Sequence, residues 1–158
     1  MKNLLLSFFL LTSAVSASPS VSDTLCTICI STNDDDVAAF RTIGKILNSS
    51  GFDLEDSEEA LMVVTTEIMK RGWGLINPIK LALRLKAEIS MTDSLTFIRL
   101  SGRYLEPVNQ KAEEEEYFER YSDTIANAYP AASAGEAAWN YMMQIAGKYK
   151  NGKIRFEK

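Results

Sequence analysis

Residues 78–89 read PIKLALRLKAEI. Asn77-Pro78 is a helix-start signal, because proline at the first helical position lacks only an N–H that would have no partner there. Behind it, Ile79, Leu81, Ala82, Leu83, Leu85 and Ile89 give an apolar surface broader than one packing seam. The segment is therefore expected to be a central helix, and its neighbours are read by the same period.

Upstream, Asn33 is placed to cap a helix whose first turn is Asp34-Asp35-Asp36, acids that suit the positive end of a helix dipole. Val37, Phe40, Ile43 and Leu47 recur at three- and four-residue steps, and Asn48 to Gly51 closes the element. A second helix is expected from Asp56, with Glu59 in position for a reciprocal cap and Leu61, Val64 and Ile68 as its stripe. Downstream, Thr92 or Asp93 opens a helix carrying Leu95, Ile98 and Leu105, which Pro107 stops. The stretch from Gln110 to Pro130 makes a fifth, with Phe118, Tyr121, Ile125 and Ala128 on one face. Ser133-Ala134-Gly135-Glu136 matches a capping box for a last helix, whose stripe is Ala138, Met142, Ile145 and Tyr149. The expected class is all-α: a single compact domain of five to six amphipathic helices over residues 18–150.

Two short segments flank it. Residues 1–17, MKNLLLSFFLLTSAVSA, have the basic start, short apolar run and small-residue end of a cleaved signal peptide. The protein is therefore expected to be secreted, or periplasmic in a bacterial source, with no transmembrane segment. Residues 151–158 are expected to be a flexible tail. Cys26 and Cys29 form a CTIC motif, and in an exported protein such a pair is expected to be oxidised. A small disulfide staple is the default; pairing with other chains, or a redox or metal role, stays open. Asn48-Ser49-Ser50 is a glycosylation sequon if the source is eukaryotic.

Composition removes many functions. Histidine is absent, which excludes His-based triads, HExxH zinc sites and c-type haem attachment. With 17 Lys+Arg against 21 Asp+Glu the chain is mildly acidic, a poor match for nucleic acid. Asp53, Glu55, Asp56, Glu58 and Glu59 crowd together, but glycoside hydrolysis needs one acid held in an apolar cleft, and a solvated helix entry explains the cluster more simply. No enzyme, cofactor or metal site is expected.

The order of features resembles the secreted fatty-acid- and retinol-binding proteins of nematodes. GFDLEDSEEAL (51–61), LRLKAEISMTDSLTFI (83–98) and AYPAAS (128–133) are similar to that family's helix starts and turns, over about residues 50–148. The chain departs from the family in its CxxC pair and its lower lysine content. The resemblance implies a helical carrier that binds a fatty acid or retinoid in an apolar cavity. Leu61, Val64, Ile68, Leu83, Ile98, Phe118, Ile125, Met142 and Ile145 would line it, and Arg84 or Lys86 would meet the carboxylate. The alternative is a secreted or periplasmic protein-binding module, of inhibitor or immunity type, with no small ligand. Its marker would be a helix face with exposed aromatics, for which Tyr104, Tyr117 and Trp139 are candidates.

Overall fold

A computed structural model describes residues 24–73, 79–106, 111, 112 and 114–158. The expected signal peptide and the Asn77-Pro78 start signal lie outside these residues. The described chain runs β1 (Thr27–Thr32), α1 (Asp36–Ser49), β2 (Leu54–Glu58), a 3-10 turn (Glu59–Leu61), β3 (Val63–Thr66), β4 (Met69–Trp73), β5 (Ile79–Thr92) and β6 (Leu95–Leu105). It continues through α2 (Glu115–Tyr121), β7 (Asp123–Thr124), α3 (Ala134–Gly147) and β8 (Lys153–Glu157). The strands form one antiparallel sheet of order β2-β3-β5-β6-β1-β8, with β4 also on β5 and β7 also on β6.

The all-α expectation is thus wrong, and the segment 78–89 shows why. Residues 79, 81, 83, 85, 87 and 89 are all apolar, while 80, 84, 86 and 88 are charged. That is the two-residue period of a strand with one buried face. Leu81, Leu83, Leu85, Ala87 and Ile89 are all buried on the same side. β5 pairs with β6 along eleven residues, from Ala82↔Leu105 to Thr92↔Leu95, around a two-residue turn. Asp93 takes a left-handed φ of 55° in that turn, so the expected helix cap is a hairpin tip. On β6, Gly102 is required by proximity: a Cβ there would sit 2.5 Å from Leu85 Cδ2 and 2.9 Å from Ile125 Cδ1. Ile125 donates its N–H to the Gly102 carbonyl at 3.0 Å. The expected second helix is likewise replaced, by β2, the 3-10 turn, β3 and β4. Of the expected fifth helix only Glu115–Tyr121 forms.

The first and last helices do form. Asp35 caps α1, its carboxylate accepting from the Ala38 N–H at 2.7 Å, two residues beyond the expected Asn33. Ser133 caps α3 as expected, accepting from Glu136 N–H at 3.1 Å. Glu136, however, reaches one residue further back than a reciprocal capping box requires, accepting from the Ala132 N–H, while the Ser133 N–H donates to the Pro130 carbonyl at 3.3 Å. Both helices lie on one face of the sheet. Ile28, Ile30, Ile43, Leu47, Ile98, Leu100, Met142 and Ile145 are fully buried between them. Polar ties join the two helices at their ends: Tyr141 donates to the Ser50 carbonyl at 2.7 Å, and Tyr149 to the Asp34 carboxylate at 2.7 Å.

Two further expectations fail. Cys26 and Cys29 are free thiols. Three steps of extended chain span roughly 10 Å and turn the two side chains to opposite sides, whereas a disulfide needs Cα atoms closer than about 7 Å. The expected tail is β8, paired with β1 from Thr27↔Glu157 to Ser31↔Lys153. Gly152 makes the approach possible, since a Cβ there would meet Ile30 Cγ2 at 2.2 Å.

Candidate functional site

Of the nine residues expected to line a cavity, six meet in one core and three lie elsewhere. Val64, Leu83, Ile98, Ile125, Met142 and Ile145 belong to the core beneath α1 and α3, each with no exposed surface. Phe118 lies on the opposite side of the sheet, in a second, smaller core with Ala82, Leu105 and Ala112, against which Ile68 packs. Leu61 is 66% exposed on the 3-10 turn. Asn48 is exposed in the last turn of α1.

Arg84 and Lys86 project from β5 onto the second face, and both have internal partners. Arg84 donates to Glu55 at 3.0 Å, to Glu115 at 2.5 and 2.8 Å, to Glu119 at 3.2 Å and to the Thr66 carbonyl at 3.2 Å. The bond to Glu115 outweighs the opposing effect of burial and raises the Arg84 pKa above its ordinary value, with Glu55 and Glu119 adding to it. The guanidinium thus joins β2, β5 and α2 across the sheet, and a ligand carboxylate would have to displace protein carboxylates. Arg103 repeats the device nearby, bonding Glu119 and donating to the Ser122 carbonyl at 2.9 Å. Lys86 pairs with Glu88 at 2.5 Å.

Open grooves mark the described surface, and three of them are of similar size. One of about 470 Å³ is walled by Asp53, Glu55, Glu67, Glu115 and Arg84. One of about 400 Å³ lies between the ends of α1 and α3, beside Lys45, Lys148 and Tyr149. The third, of about 390 Å³, is the more apolar, with Phe40, Gly44, Leu54 and Val64. Among the described residues, no group of three or more His, Cys, Asp or Glu side chains is placed to hold a metal ion. No described helix is long and apolar enough to cross a membrane.

The sheet offers a different kind of site at its β8 margin. No described strand pairs beyond β8. Ile154 and Phe156, opposite Ile30 and Ile28, are 38% and 43% exposed on the helix side. Trp139 of α3 packs on Phe156 with ring centroids 5.9 Å apart, which extends the apolar strip onto the helix. On the other side of the strand, Arg155 lies 4.8 Å above the Phe97 ring, and Glu157 accepts from Arg99 at 3.0 Å. Arg99, Cys29 and Arg155 lie side by side on β6, β1 and β8, and Cys29 is fully buried there.

Of the three aromatics named from sequence, only Trp139 belongs to this strip. Tyr104 is buried edge-on against Tyr129, and Tyr117 packs on Tyr121 with tilted rings, centroids 4.7 Å apart, on α2. Ile154 and Phe156 were missed altogether. The alternation in KIRFE, residues 153–157, is the signal that could have found them.

The chain matches no protein-family model and no curated protein.

Proposed function

We propose that the chain is a non-catalytic protein-binding module of an exported protein, and that β8 is its docking element. The observation that supports this most is the form of that edge. It is a regular strand with a side to which no described strand pairs, two half-exposed apolar side chains and an aromatic continuation on α3. An exposed edge accepts an extended segment by main-chain hydrogen bonding, and alternate side chains supply selectivity. The opposite margin is less suited, because β2 shifts register between Leu54 and Ser57 against β3. The carrier expectation is less favoured because Phe118 and Ile68, two of its intended lining residues, lie on the other face of the sheet, and Leu61 is exposed.

Selection from a displayed library of extended peptides tests the reading. Binders should alternate apolar and charged residues, and Phe156→Lys should abolish their binding while the melting temperature stays near that of the parent. Binders that survive Phe156→Lys, or a saturable fatty-acid titration with no peptide binding at all, would overturn it.

A further inference from the structure

We propose that the partner of β8 is a second copy of this chain, paired antiparallel through β8 about a two-fold axis at Arg155; this rests on β8 being the docking edge. The strand is self-complementary in that register. Reading KIRFE against its own reverse sets Lys153 opposite Glu157 of the second copy at both ends, and Ile154 opposite Phe156 twice. Cross-strand pairs of opposite charge and of apolar residues each favour pairing. The central Arg155 pair is the one unfavourable rung. Each Arg155 is turned toward its own sheet by the Phe97 ring and by Glu157 at 3.7 Å.

Neighbouring registers fit less well. Moving the axis to Phe156 sets Ile154 opposite Lys158, and moving it to Ile154 sets Lys153 opposite Arg155. Charges on an edge usually discourage pairing, but they do so when one sign faces itself. Here the signs sit symmetrically about the centre. The axis stands perpendicular to the sheet, so the helix-covered faces of the two copies align and the two Trp139–Phe156 strips meet on one side. The result is a continuous sheet across two chains with isologous contacts.

Sedimentation velocity of the full chain from about 1 μM to about 1 mM, the range suited to a small interface, reads the association. The parent should pass from monomer to dimer across that range. Lys153→Glu and Glu157→Lys should each weaken association by at least about tenfold, because like charges then face one another. An equimolar mixture of the two variants should form a heterodimer tighter than either variant alone, since every end rung is again complementary. Glu157 also bonds Arg99, so Ile154→Lys serves as an independent variant that spares that bond and should leave a monomer. A parent that stays monomeric throughout, or a mixture no tighter than its components, overturns self-pairing. If Phe156→Lys still abolishes peptide binding in that case, the edge remains the docking element and only the second copy is excluded as its partner.

Discussion

The two faces of the sheet are closed by different physics. Under α1 and α3 the contacts are apolar and continuous, with Ile43, Ile98, Leu100 and Ile145 fully buried. The other face carries Arg84, Arg99, Arg103 and Arg155, tied to Glu55, Glu115, Glu119 and Glu157, with one small apolar island under α2. Apolar burial is non-directional and scales with area, so the first face supplies most of the free energy that holds the fold. Charge-assisted bonds depend on geometry, so the second face fixes where β2 and α2 sit. One strand can serve both because its side chains alternate between them.

Truncation should expose this difference first. Ile98→Ala removes a central side chain beneath both helices and should cost about 4 kcal/mol, read as a fall in the urea midpoint with the slope unchanged. Phe118→Ala empties the smaller island and should cost about 3 kcal/mol, at the low end for phenylalanine because a seven-residue helix can settle into the gap. Its signature should also be local. Amide exchange should rise in α2 and β7 while α1 and α3 remain protected, and equal loss of protection throughout would mean the two cores are one cooperative unit.

The helix-side elements were legible from sequence in a way that the strands were not. Capping residues and three- and four-residue spacing identify α1 and α3, because a surface helix signals both its ends and its buried stripe. In β5 the alternation is present, but Ala82 breaks it. That alanine faces away from the main core and is buried by Leu105 and Phe118, so a strand with cover on both sides acquires an apolar residue out of phase. Leu, Ala, Lys, Arg and Glu are also strong helix formers, and hairpin pairing with β6 overrides that local preference. At the candidate edge, the basic stretch KYKNGKIRFEK, residues 148–158, reads as a solvated tail, yet its later charges include those of Lys153, Arg155 and Glu157. They occupy one side of a strand whose other side is Ile154 and Phe156.

Removing the Arg84 guanidinium probes the second face directly. Arg84→Ala leaves Glu55, Glu115 and Glu119 facing one another without their shared cation, and should cost about 2 kcal/mol. The deficit should shrink in 1 M salt, where the Debye length is about 3 Å and repulsion between the partly exposed carboxylates is screened. Ile98→Ala should show no such relief. An Arg84→Ala deficit equal at low and high salt would assign this face to packing as well.

Tyr149 offers the finest distinction, because it is a polar group embedded in the helix-covered side. Burial and the Asp34 carboxylate raise its pKa above the ordinary 10.0, while Thr32 and Thr42 oppose the shift. The folded chain therefore holds the phenolic proton more tightly than the unfolded one. That contribution is complete below pH 10 and is lost as pH climbs beyond it. Tyr149→Phe should cost about 1 kcal/mol at neutral pH through the lost bond to Asp34. The same substitution should flatten the fall in stability above pH 10. Some slope should survive in the variant, because burial beside Tyr129 shifts Tyr104 in the same direction. Unfolding curves collected between pH 8 and 11 read both effects, and an unchanged alkaline slope in Tyr149→Phe would place the titrating phenol elsewhere.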